Sequence, residues 1–230
     1  MKMIGLIGGM SWESTALYYR IINERVKQQL GGLHSARSLM YSVDFQEIEK
    51  LQVAGEWQKA GEILAQAAIS LEKGGADFMV LCTNTMHKVA DQITAAVDIP
   101  LLHIADATAQ RIQQAGVKKV GLLATSFTME QEFYKGRLEQ FGIEVLVPDA
   151  PGRKRVHDII YQELCLGVIR DESRAHYREI IAQLVEQGAE AVILGCTEIT
   201  LLVKPEDASV PLFDTTLIHA EDAVKLALSA

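Results

Sequence analysis

Two segments set a thiol and hydroxyls directly behind an apolar run. Cys82-Thr83-Asn84-Thr85-Met86-His87 follows Phe-Met-Val-Leu, and Gly195-Cys196-Thr197-Glu198 follows Ala-Val-Ile-Leu. A strand-to-helix turn of this kind directs backbone N–H groups beyond the sheet, where a carboxylate can accept them. Asn84, Thr85 and Thr197 add side-chain donors. A thiol at such a helix start is expected to ionise below the ordinary cysteine pKa of about 8.5. Two groups facing each other across a cleft would serve as acid and base on opposite faces of one carbon, which is what inverting a stereocentre requires. Asn and Thr also cap helices, and Cys fills small core spaces. It is the recurrence of the turn, rather than either copy, that points to a site.

Other residues carry less. Gly5-x-x-Gly8-Gly9 lacks both the dinucleotide and the P-loop spacing; close approach of backbone to a ligand is its expected role. None of the six histidines has a zinc-binding spacing such as H-E-x-x-H. His87 and His219, in predicted helices, read first as structural histidines. Cys165 reads as core. Arg153-Lys154-Arg155 is a basic cluster in an acidic chain, either a solvated face or a source of a cation for a substrate carboxylate.

The elements that must position these groups alternate. Strands are expected over 3–7, 38–43, 78–81, 117–124, 144–147 and 191–194. Helices are expected over 13–30, 57–73, 87–97, 129–141, 156–166, 173–187 and 215–229, with Ser11 as N-cap of the first and Gly31-Gly32 as its stop. Strand–helix alternation implies an α/β fold with parallel sheets covered on both faces. Residues 75–84 run beside 188–197, and 3–9 beside 119–125, so the chain reads as two similar α/β units. Without a gap, Cys196 pairs with Thr83 and Cys82 with Gly195, so Cys82 should point back into the first unit. Domains are expected at 1–98 plus 210–230, the Pro211-Leu212-Phe213 strand returning to the first unit, and at 99–209. A ligand belongs between them, at the carboxyl ends of the strands.

Composition excludes several classes. With 230 residues, 49% hydrophobic, 23% charged and a formal charge of −8, the chain is too apolar for disorder and too acidic for general nucleic-acid binding. Three cysteines form no disulfide framework and suggest a reducing compartment. The apolar stretch Met3 to Met10 is short and rich in glycine, so an export signal is not expected, and no uncharged apolar run approaches the ~18 residues that span a membrane. A cytoplasmic location is expected.

At these residues the chain resembles the aspartate/glutamate racemase family of cofactor-independent amino-acid racemases. The resemblance spans essentially the whole chain: Gly5 to Ser14, Gly31-Gly32-Leu33-His34-Ser35-Ala36, Asn84-Thr85-Met86-His87, Gly195-Cys196-Thr197-Glu198 and Asp214 to Ala220. It implies two α/β domains related by a pseudo-twofold axis, a site between them, a homodimer, no cofactor and no metal. It also implies one catalytic cysteine per half, the first directly before Asn-Thr. Here that residue is Thr83, with Cys82 one place early. The implied catalytic pair is therefore Cys196 and Thr83, with Met10, Ser11, Asn84, Thr85, Thr125 and Thr197 around the substrate. Arg155, or else Lys154, would meet the distal carboxylate. The expected activity is proton exchange at Cα of aspartate or glutamate, faster on the L-form. Single-cysteine decarboxylation of malonates, maleate isomerisation on the same scaffold, and non-catalytic amino-acid binding are the alternatives.

Overall fold

The computed structural model describes residues 1–229. It divides into two units, one of residues 1–104 with the chain from His219 on, the other of residues 105–218.

The first unit is built on β1 (Ile4–Gly8), β2 (Ser38–Ser42), β3 (Phe78–Leu81) and β4 (Leu101–Leu102), all parallel in the order β2-β1-β3-β4. Every residue of β1 and β3 is buried, as an inner strand of a covered sheet requires. Helix α1 (Trp12–Leu30) starts where the Ser11 hydroxyl accepts from the Ser14 N–H, and it stops at Gly31. Helix α2 (Phe45–Ala54) begins at Asp44, whose carboxylate accepts from the Gln46 N–H. It is absent from the expected elements because Ile48 is its only buried apolar residue. Helix α3 (Trp57–Lys73) buries Ala60, Leu64, Ala67, Ala68 and Leu71 on one face.

After β3 the expected helix over 87–97 is instead a 3-10 turn, Thr85–Val89, and a short helix α4 (Ala90–Thr94). Helix α5 (Ile104–Gln114) leads into the second unit.

That unit contains β5 (Lys119–Leu123), β6 (Glu144–Leu146), β7 (Ala191–Leu194) and β8 (Leu212–Asp214), parallel in the order β6-β5-β7-β8. Strand β8 therefore pairs with β7 and does not return to the first sheet, so the first unit regains the chain at 219 rather than 210. The expected helix over 129–141 is two, α6 (Ser126–Glu130) and α7 (Glu132–Glu139), because Gln131 is extended between them. Helix α8 (Ala150–Gln162) starts six residues before the expected 156. Pro151 and Gly152, which read as loop, lie in its first turn, capped by Asp149. A 3-10 turn (Leu164–Leu166), α9 (Asp171–Glu186), α10 (Ile199–Leu202) and α11 (Thr215–Leu228) complete the elements relevant to the site.

Candidate active site

The two sheets repeat each other down to register. Ile4 to Ile7 of β1 pair with Phe78 to Leu81 of β3, and Val120 to Leu123 of β5 pair with Ala191 to Leu194 of β7. The ladder then extends one bond past each strand: the Cys82 N–H donates to Ile7 O at 2.9 Å, and the Gly195 N–H to Leu123 O at 2.7 Å. Cys82 and Gly195 are thus equivalent, and so are the next residues, Thr83 and Cys196. Both of these are half-buried. Cys82 has no exposed surface, and its Sγ lies 3.9 Å from Val80 O. Burial pushes its thiol far above the ordinary cysteine range, so Cys82 is a core residue, as the gap-free alignment of the halves requires.

At Cys196 the chemistry differs from the expected lowering. The turn does not lead into a long helix: α10 has 4 residues, and Glu198 stands between the thiol and its first turn. Little dipole is available there. Instead the Cys196 thiol donates to Glu198 Oε2 at 3.0 Å. Burial first, and the Glu198 carboxylate second, hold the thiol well above its usual value, with Cys165 adding a smaller upward push. The resting group is a protonated thiol hydrogen-bonded to a carboxylate. Sequence reasoning quoted Glu198 but gave it no role; its place two residues after the thiol was the available signal.

Around Cys196, Thr197 is buried and its Oγ1 accepts from Thr216 Oγ1 at 3.4 Å, while Thr215 Oγ1 donates to Leu194 O at 3.0 Å. The start of α11 is thereby fastened to the turn after β7. Thr125, at the equivalent end of β5, is buried with its hydroxyl 3.3 Å from that of Thr128.

In the first unit the turn after β1 and the turn after β3 adjoin, because Ser14 Oγ donates to Cys82 O at 3.2 Å. Met10, Ser11, Asn84 and Thr85 are all buried near them. The glycines of the first turn serve packing rather than a ligand. A Cβ on Gly8 would lie 2.3 Å from Thr15 Cγ2, and one on Gly9 (φ +95°) 2.2 Å from Val43 O. The Gly9 N–H, in the stretch whose backbone is expected from sequence to approach a ligand, is bonded to Thr15 Oγ1 at 2.8 Å.

His87 and His219 are buried and structurally engaged, as expected of them individually. His87 Nδ1 lies 2.8 Å from Thr83 O, and His219 bridges Tyr18 OH and Leu102 O, each at 2.8 Å. Arg155 stands exposed on α8, its guanidinium against His176 of α9. The grooves it borders are lined by residues of α8, α9 and their connection and do not include Cys196, Thr197 or Thr125. Lys154 pairs with Asp158 and Arg153 with Glu130. Among the described residues no group of histidines, cysteines and carboxylates could hold a metal ion, and no helix is long and apolar enough to cross a membrane.

Similarity to known proteins agrees with this arrangement. A curated relative, the broad specificity amino-acid racemase RacX of Bacillus subtilis, is 24% identical over 99% of both chains. A crystal structure from Yersinia pestis, provisionally named an Asp/Glu racemase, is 62% identical, with a TM-score of 0.95 over the full length of both chains. That of PH1733, an aspartate racemase homologue from Pyrococcus horikoshii, is 36% identical with a TM-score of 0.85, again over both full lengths. The family described as Asp/Glu/Hydantoin racemase matches residues 7–223. With two parallel sheets repeating in register and the match running almost from end to end, the chain belongs to the Asp/Glu/hydantoin racemase family.

Proposed function

We propose that this protein is a cofactor-independent amino-acid racemase that exchanges the α-proton of aspartate- or glutamate-type substrates, with Cys196 as the base for the L-form and Thr83 in the opposing role. The observation that carries the reading is the equivalence of Thr83 and Cys196, fixed by the matching bonds Cys82 N–H to Ile7 O and Gly195 N–H to Leu123 O. Family membership, and the name of the Bacillus subtilis relative, support an amino-acid substrate.

The α-proton beside a carboxylate is only weakly acidic, so the base must be strong and the enediolate must be stabilised. Cys196 starts as a thiol. Transfer of its proton along the 3.0 Å bond leaves a thiolate and a protonated Glu198. The thiolate then takes the α-proton and becomes a thiol again. Donors set in place before reaction stabilise the developing oxyanion; Met10 and Ser11 at the first turn, Asn84, Thr85, Thr125 and Thr197 are the assigned set. Arg155 is assigned to the distal carboxylate and would have to leave His176 to reach it. Thr83, or a water it holds, returns a proton to the opposite face and is itself reprotonated from solvent, while Glu198 releases the proton it took from the thiol and the starting state is restored. A hydroxyl is a much weaker acid than a thiol, so this half is slow. Racemisation has an equilibrium constant of one, and the asymmetry therefore appears in exchange without inversion, not in a one-way conversion. The homodimer belongs to the same reading; the exposed Trp12, Tyr19, Met40 and Tyr41 of the first unit support it, and sedimentation decides it.

The test is α-deuterium incorporation from D₂O, followed by proton NMR on each enantiomer of aspartate and glutamate. Exchange on the L-form should exceed that on the D-form by about 10²-fold or more, and Cys196→Ala should lower it by about 10³-fold, both in the range of a lost acid–base group. Equal rates on the two enantiomers refute the asymmetry. Binding with no exchange refutes the enzyme, and carbon dioxide release from an arylmalonate would favour the decarboxylase alternative.

A further inference from the structure

We infer that His87 is a positioning residue, a neutral imidazole that fixes the Thr83–Asn84 peptide and thereby places the Thr83 side of the reaction. The inference rests on the role proposed for Thr83. Its geometry lies wholly within the first unit.

The ring's protonation state follows from its two partners. Thr83 O, 2.8 Å from Nδ1, can only accept, so Nδ1 carries the hydrogen. The Ile104 N–H, 3.3 Å from Nε2, can only donate, so Nε2 presents its lone pair. A single neutral tautomer satisfies both bonds, whereas an imidazolium would set Nε2–H against the Ile104 N–H. The titratable groups packed on the ring are two more imidazoles, His103 with centroid 4.5 Å away and His219 at 5.9 Å. His219 in turn donates to Leu102 O and accepts from Tyr18 OH. Leu102 is therefore held by His219 and Ile104 by His87. All three imidazoles are buried.

The consequence for the turn is set by peptide planarity. In a trans peptide the carbonyl and the following N–H point in opposite directions. With Thr83 C=O drawn to His87, the Asn84 N–H is aimed away from it, and Thr83 is held at one backbone orientation. The Cys196 C=O is held differently, by the Ile199 N–H at 3.2 Å, and its thiol by the Glu198 carboxylate, bonds that a change at His87 leaves in place. His87 should therefore matter more to the Thr83-dependent step than to the Cys196-dependent one.

The experiment compares His87→Asn with His87→Gln. An Asn amide nitrogen reaches roughly where Nδ1 sits and keeps the bond to Thr83 O, while a Gln amide reaches only the Nε2 position. Inversion (D-product formed from L-substrate) and L-exchange are measured together. Expected for His87→Gln is a fall of about tenfold or more in the ratio of inversion to L-exchange, as for a misplaced catalytic group. His87→Asn should restore most of the ratio. If both variants lower the two rates in parallel, or if neither changes the ratio, the inference is overturned. Wild-type protein labelled with ¹⁵N-histidine gives a check free of folding defects: His87 should show the neutral Nδ1–H tautomer at about pH 7. An Nε2–H tautomer or an imidazolium there also overturns it. Absence of any L-exchange in the wild type would instead defeat the proposed function and leave the tautomer result to stand or fall alone.

Discussion

The turn after β3 and the turn after β7 leave matching strand ends and differ in what surrounds them. In the first, Thr83 is braced by a buried neutral imidazole and no carboxylate is bonded to it. In the second, Cys196 leans on the Glu198 carboxylate. The layer beneath shows a compensating exchange. Gly195 has no room for a side chain, since a Cβ would lie 3.0 Å from Ala124 Cβ. In the first unit the residue matching Ala124 is Gly8, and the residue matching Gly195 is Cys82, whose side chain is fully buried. A duplicated scaffold can thus carry a thiol at either of two adjacent positions with different results: one step early it is core, and in register it is half-buried beside the Glu198 carboxylate. The pleat of the strand end makes this distinction.

The comparison can be broken most directly at Thr83. Thr83→Cys gives the two turns the same reactive group and should narrow the gap between L- and D-exchange by about 10²-fold, the scale of a restored acid–base residue. Exchange rates in D₂O for the two enantiomers decide it, and an unchanged gap would mean that Thr83 does not face the substrate. A smaller effect is expected at Glu198. Its carboxylate raises the Cys196 thiol, so Glu198→Gln should lower that pKa and quicken alkylation by iodoacetamide near pH 7, since the thiolate is the reacting form. The same change removes the acceptor for the thiol proton and should slow L-exchange by about tenfold. Faster alkylation with slower exchange sharpens the contrast; a parallel rise in both would assign Glu198 no part in proton transfer.

The smallest effect concerns the imidazole cluster of the first unit. Burial, opposed only in part by the bond to Leu102 O, brings the His219 pKa down to about 4 from its ordinary 6.5. Above the ordinary value both folded and unfolded chains are neutral there, and stability is unaffected. Below it the unfolded chain binds a proton that the folded one excludes, so stability falls with pH until about pH 4, where the native site also titrates. Between about pH 7 and pH 5.5 this amounts to about 1 kcal/mol. Both tryptophans, Trp12 and Trp57, lie in the first unit, so denaturant unfolding followed by their fluorescence reads that unit. His219→Gln should flatten the acid slope, and an unchanged slope would place the proton uptake elsewhere.

Much of this was legible without coordinates. Helix α3 and strands β3 and β7 have the limits that their apolar patterns indicate, and the pairing of Thr83 with Cys196 follows from aligning the two halves without a gap. What escaped was short or marginally amphipathic. Helix α2 buries too little apolar surface to announce itself, the turn after β3 is 3-10 rather than α-helical, and nothing local in Leu212-Phe213-Asp214 says which sheet it joins. Among the candidate site residues, Thr83 and Cys196 stand at the matching strand ends. Arg155 pairs with His176, because on α8 the nearest partner of its guanidinium comes from α9.

Sequence alone determined the repeated α/β plan, the place of Thr83 and Cys196 behind strands β3 and β7, and the family, because each depends on local periodicity and on motifs contiguous in the chain. Tertiary structure decided the protonation of those residues and the purpose of the glycines beside them. A thiol's pKa depends on how far it is removed from water and on which charge it touches. A glycine's necessity depends on the atom that would occupy its missing Cβ, here Thr15 and Val43. Both are distances in space between groups whose separation along the chain says little about them.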